Sequence, residues 1–122
     1  MDQVAELADH LNSLILKTEE LLAKKFKLRA EVEFSCVEYP KASLQFRKIH
    51  FDGQDKRKIV VDSPEFPNSN CFVPLTNCSI DTRTRAINLF PALLAACENA
   101  ENNIINQIEA AIVKVEAFNN SI

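Results

Sequence analysis

The sequence predicts an α+β fold: a long N-terminal helix, an antiparallel meander of three or four strands, and a long C-terminal helix kinked near Pro91, with both helices on one sheet face. Three observations carry this expectation. Apolar residues recur every three or four positions over the first quarter of the chain and over the last third, whereas between them the period drops to two. A single Asp-Gly pair, Asp52-Gly53, sits between two alternating runs as a hairpin turn requires. At 122 residues, with 47% hydrophobic and 25% charged, the chain has the composition of one ordinary domain spanning 1–122.

The first helix is expected over 2–27. Val4, Leu7, Leu11, Leu14, Thr18 and Leu21 alternate in steps of three and four, widened by Ala8, Ile15 and Leu22, and Asp9, Asn12, Lys17, Glu20, Lys24 and Lys27 fall off the stripe. From Leu28 the alternation of Leu28, Ala30, Val32, Phe34 and Cys36 against Arg29, Glu31, Glu33 and Ser35 predicts a half-buried strand over 28–38. A turn at Tyr39-Pro40-Lys41-Ala42-Ser43 leads to a second strand over 44–51. A change of parity between Phe46 and Ile49 predicts a bulge near Arg47-Lys48, and closing the turn with Tyr39 opposite Leu44 would set Glu33 against His50. The return strand is expected over 58–62. Residues 63–80 read as loop, with Cys71-Phe72-Val73 able to add a short edge segment.

Ser79 or Asp81 can cap the last helix, expected over 82–118, and Pro91 lacks the amide that would bond back to Ile87, so a first piece near Thr82 to Leu89 is expected to bend or break there. Ile87, Phe90, Leu94, Cys97, Glu101, Ile104, Ile108, Ala111, Val115 and Phe118 form a heptad-like seam, with Ile105 and Ile112 beside it and a polar waist at Glu98, Glu101, Asn102, Asn103 and Asn106. Two long apolar helices carry more surface than a sheet about 15 Å wide can cover. The seam residues Leu11, Leu14, Leu21, Leu94, Ile104, Ile108, Ile112 and Val115 are therefore read as core or as the interface of a homodimer.

Composition excludes several function classes. The single glycine, Gly53, is too few for the loops that wrap nucleotide phosphates. The longest apolar run, Pro91 to Cys97, is far short of the ~20 residues of a membrane-spanning helix. Asp2, Glu6 and Asp9 stand where a secretory signal carries basic and then apolar residues, which predicts a cytoplasmic protein with reduced thiols. A net charge of -3 supplies no long-range cationic field, so nucleic acid is not expected as a partner.

Candidate sites are few. Cys36, Cys71, Cys78 and Cys97 could close a zinc tetrahedron, but none are spaced as a zinc knuckle, so no metal is expected. His50 has Asp52 two positions on but no nucleophile or second histidine beside it, so neither a catalytic residue nor a cofactor is assigned. Arg47, Lys48, Lys56, Arg57 and Lys58 make the hairpin locally basic, and Arg83 and Arg85 fall in the expected first turn of the last helix, where the dipole disfavours cations. These seven residues are the candidate anion or nucleic-acid site, with neutralisation of the hairpin by Glu31, Glu33 and Glu38, and of Arg83 and Arg85 by Asp81, Asp62 or Glu65, as the structural alternative. The segment Ser79 to Asn99 resembles the helical ends of small phage or prophage proteins, a resemblance over about a sixth of the chain that implies an accessory or inhibitor protein of a mobile element. The expected function is a non-catalytic homodimeric protein-interaction module. An anion binder is the second reading and a small enzyme the third.

Overall fold

The computed structural model describes residues 2–27, 32–35, 43–62 and 72–122. Its elements in chain order are α1 (Gln3–Lys25), β1 (Val32–Ser35), β2 (Ser43–Phe51), β3 (Gln54–Asp62), β4 (Val73–Pro74), a 3-10 turn at Leu75–Asn77, α2 (Ile80–Ile87) and α3 (Phe90–Ser121). The strands form one antiparallel sheet in the order β1-β2-β3-β4, so the α+β meander flanked by terminal helices holds.

Each element starts where local chemistry allows. Asp2 caps α1 by accepting the Val4 amide at 3.0 Å, and Lys24 and Lys25 in the last turn oppose the negative end of the dipole. Asp52 and Gly53 both take positive φ, 52° and 73°, the combination that matches a two-residue turn to strand twist. Ser79 caps α2 by accepting the Thr82 amide at 3.2 Å.

Four expectations are corrected. β2 and β3 pair without interruption from Ser43↔Asp62 to Phe51↔Gln54, so there is no bulge at Arg47-Lys48, and β3 begins at Gln54 rather than 58. Glu33 pairs with Gln45, not His50. The stretch 63–80 is not all loop, because β4, the 3-10 turn and the start of α2 lie within it. The bend or break expected at Pro91 is a break: α2 stops at Ile87, Asn88 and Leu89 turn, and Pro91 falls in the first turn of α3, where its missing amide costs no hydrogen bond. The expected strand positions 28–31 and 36–38, the turn 39–42 and the loop positions 63–71 lie outside the described residues.

The core lies on one face of the sheet. Leu44 and Phe46 of β2 and Ile59 and Val61 of β3 share that face, and Ile15 and Leu22 of α1, Phe26 after it, Leu75, Cys78, Ala86, and Leu93 and Cys97 of α3 pack over it. α1 lies against β3, and α3 lies along β1 and β2. Across the other face Arg47 stacks on Phe72, 4.0 Å from the ring centre, and its Nη1 donates to Gln45, whose amide donates to Ser43.

Among the described residues β4 pairs with β3 only at Val60 and Val61, and no strand pairs with Ile59 on that edge. Glu19 closes it. From the buried row of α1 its Oε2 accepts the Ile59 amide at 2.8 Å, and its Oε1 accepts Lys58 Nζ at 3.1 Å. Both side chains are buried, and the ion pair offsets part of the cost of taking the two charges out of water. Glu19→Ala should therefore lower unfolding free energy by about 1 to 3 kcal/mol in urea titrations, since the buried Ile59 amide loses its acceptor. Glu19→Gln, which keeps an oxygen for the amide, should lose less.

Candidate interaction surfaces

The expected seam divides when placed in the fold. The residues that enter the core are Ile15 and Leu22 of α1, on the widened side of the predicted stripe, together with Glu19, which lay off it, and Phe26 just after the helix. Leu11 packs partly against that core, whereas Leu14 and Leu21 are 52% and 53% exposed, with Val4, Leu7 and Leu16 similarly turned outward. α1 is apolar on two sides.

α3 shows the same division along its length. Leu93 and Cys97 are core, Leu94 beside them faces out, and Ile104 is half-buried. From Ile105 onward every residue is exposed, including Ile108 and Ile112 at 50% each, Val115 and Phe118. α3 runs in the same sense as α1, because it leaves α2 near the Asn12 end of α1 and reaches the level of Lys25 at Glu98, where Lys25 Nζ and Glu98 Oε1 are 3.5 Å apart. Residues 99–121 thus continue past the last residue of α1. Leu21 and Leu94, both exposed, each lie one helical turn before that ion pair.

A second surface is the cleft of about 450 Å³ at the end of α1, lined by Ala23, Lys27, Lys48, Asp55 and Arg57. Its charges are largely committed. Lys48 and His50 both approach Asp55, at 3.7 and 3.1 Å. The Arg57 guanidinium lies 4.6 Å over the Phe46 ring and Nη1 donates to the Phe26 carbonyl, tying the hairpin to the end of α1. Lys27 is engaged within the chain as well.

The seven expected anion-site residues do not converge. Lys48 and Arg57 share the helix-covered face of the sheet at the cleft, Arg47 is stacked on the opposite face, Lys56 is exposed beyond it, and Lys58 turns to Glu19. Arg83 and Arg85 are not in the first turn of a long helix. Because α2 ends at Ile87, Arg85 occupies its last turn, where the dipole favours a cation, and bonds Asp81 at 3.3 Å. Arg83 is buried, and its Nη1 donates to Asn12 Oδ1 at 2.6 Å while Asn12 Nδ2 donates to the Thr76 carbonyl at 3.4 Å. That chain links α2, α1 and the 3-10 turn, and Arg83 Nε is buried with no hydrogen-bond partner.

Cys78 and Cys97 are buried, and burial pushes both thiols up to about 11. Cys36 and Cys71 lie outside the described residues, among which no cluster suits a metal ion. No described helix is long and apolar enough to cross a membrane. Glu101 is half-buried on α3 between the core and the projecting segment.

Two residues that matter here escape a stripe-based reading. Glu19 is four residues after Ile15 and three before Leu22, an acid inside an apolar row, and that interruption is its signal in the sequence. Asp55 is no nearer His50 in sequence than Asp52, and only hairpin register pairs it across the strands.

Comparison with known protein families, curated proteins and solved structures found no match.

Two titrations test this chemistry. The hydrogen bond from His50 and the Lys48 charge hold the Asp55 carboxyl below its ordinary value of 3.8. A carboxyl depressed in the folded state stabilises above its unfolded pKa, and that small contribution fades as pH falls through the folded value. In His50→Ala the Asp55 carboxyl should titrate at higher pH by NMR. At pH 7.5 the thiols of Cys78 and Cys97 should react with a thiol reagent only after denaturant is added, because so little thiolate is present.

Proposed function

We propose that the chain is a non-catalytic protein-interaction module that works as a homodimer through the outward seam of α3. The observation that carries this reading is that Ile105, Ile108, Ile112, Val115 and Phe118 project on a helix with every residue exposed from position 105 onward. A single helix of this length gains its stability in water from packing one apolar face, and β-branched isoleucine and valine add little intrinsic helix preference. The whole chain exposes 8320 Å², about 1,700 Å² more than the ~6,600 Å² of a compact monomer of its mass. A standard dimer interface hides about 800 Å² on each partner, so the surplus is large enough for one.

An apolar stripe of this size invites association with a like surface, and the accessory or inhibitor role implied by the Ser79 to Asn99 resemblance belongs to the same reading. Light scattering at micromolar concentration should give twice 13.8 kDa. Ile108→Asp should raise the dimer dissociation constant a hundredfold or more, about 3 kcal/mol, by placing an unpaired charge in the seam. Ile108 makes no part of the core, so the variant should keep the thermal transition of the sheet and lose helical ellipticity on dilution. A monomer mass for the parent protein would overturn the reading.

A second reading, an anion site, is favoured by Lys27, Lys48 and Arg57 lining one cleft. It ranks behind because Asp55 lines the same cleft and the cations are already engaged. Phosphate-dependent stabilisation that disappears in Lys48→Glu would promote it.

A further inference from the structure

We infer that Arg83 holds a small oxyanion, a phosphate or a carboxylate, on the free edge of its guanidinium, where α1, the 3-10 turn and α2 meet. The site is separate from the α3 seam and does not depend on the dimer reading.

The first ground is a charge left over. Glu19, Lys58 and Arg83 are the charged residues buried among those described. Glu19 and Lys58 form an ion pair at 3.1 Å. Arg83, only 8% exposed, has no carboxylate beside it among the described residues: its Nη1 donates to the neutral amide oxygen of Asn12 at 2.6 Å. Asp81, the acid nearest to it in sequence, bonds Arg85 at 3.3 Å. The Cys78 thiol feels the Arg83 charge, yet burial pushes it up to about 11, so at neutral pH it is uncharged and neutralises nothing. A guanidinium is a permanent cation, and taking a charge out of water without a counter-charge costs far more than leaving a neutral group unpaired.

The second is an unused pair of donors. Nε is buried with no hydrogen-bond partner, and among the described residues no bond engages Nη2 either. With Nη1 turned to Asn12, these two nitrogens form the side of the fork whose parallel N–H groups match two oxygens of one carboxylate or phosphate. A water molecule accepts from Nε but leaves the charge in place. Chloride brings charge without the pair of oxygens.

The third is position. Asn12 also donates to the Thr76 carbonyl at 3.4 Å, so the guanidinium belongs to a chain that ties α2 to α1 and the 3-10 turn. An oxyanion held there neutralises the junction and fastens α2, the element that α3 follows after two residues.

Titration of the full chain near neutral pH, with chloride replaced stepwise by phosphate and separately by acetate at constant ionic strength, tests the site. The Arg83 Nε–H signal, assigned by NMR through its own backbone, should move saturably with at least one of the two anions. The thermal midpoint should rise with the logarithm of that anion's concentration. This rise should persist in Lys48→Glu and vanish in Arg83→Met. Asn12→Asp sets a carboxylate against Nη1, so it should raise the midpoint in chloride and flatten the response to the added anion. That variant and the NMR titration of the parent chain decide the matter even where Arg83→Met fails to fold. An Nε–H signal that stays fixed with both anions would overturn the proposal, as would a thermal response of equal size in Arg83→Met. A response lost in Lys48→Glu and kept in Arg83→Met would place the anion in the cleft and overturn it too. So would an Asn12→Asp variant less stable than the parent in chloride, because Arg83 would then lack no counter-charge.

Discussion

The bond from Glu19 to the open edge of β3 is the constraint on which the arrangement of the rest depends. β4 contributes two residues and, among the described residues, no strand receives the Ile59 amide; a buried amide without an acceptor costs about as much as a lost hydrogen bond. A helix normally covers a sheet with apolar side chains and ignores its backbone. Here α1 supplies a carboxylate that substitutes for the missing strand and also neutralises Lys58. This fixes the rotation of α1 about its own axis: with Glu19 at the edge, Ile15, Leu22 and Phe26 must face the core and Leu14 and Leu21 must face away.

That rotation has consequences at both ends of α1. At its close, the Phe26 carbonyl is set to receive Arg57, and the guanidinium lies over Phe46, so a helix terminus that would otherwise leave unpaired carbonyls is satisfied by the hairpin. Nearer its start, Asn12 is set between Arg83 and Thr76, which positions α2 and thus the point from which α3 departs. α3 then lies along β1 and β2 and meets the end of α1 through the Lys25–Glu98 ion pair. The sheet is too small to cover the remainder, and the helix continues with its apolar row in water.

The basic hairpin shows how register disperses a charge run. Five cations within twelve residues look like a patch when read along the chain, yet alternate side chains of a strand point to opposite faces. Lys48 and Arg57 are brought together because they are cross-strand partners, while Arg47 and Lys58 leave for different neighbours.

Periodicity alone determined the α+β class, the two long helices, the Asp52-Gly53 hairpin and the excess of apolar surface over what one small sheet can hide, because each is a local or compositional property of the chain. Which of the two adjacent apolar rows on α1 is core was decided by tertiary structure: a helix rotated by one residue presents a different row, and only the carboxylate of Glu19 against Ile59 and Lys58 selects between them. The break before Pro91 likewise required the fold, since proline is tolerated in a first turn and disruptive within a helix, and the sequence contains both possibilities. The partners of Arg83 and Asp55 were set by contacts between segments distant along the chain or opposed across a hairpin, where spacing in sequence carries no information about distance in space.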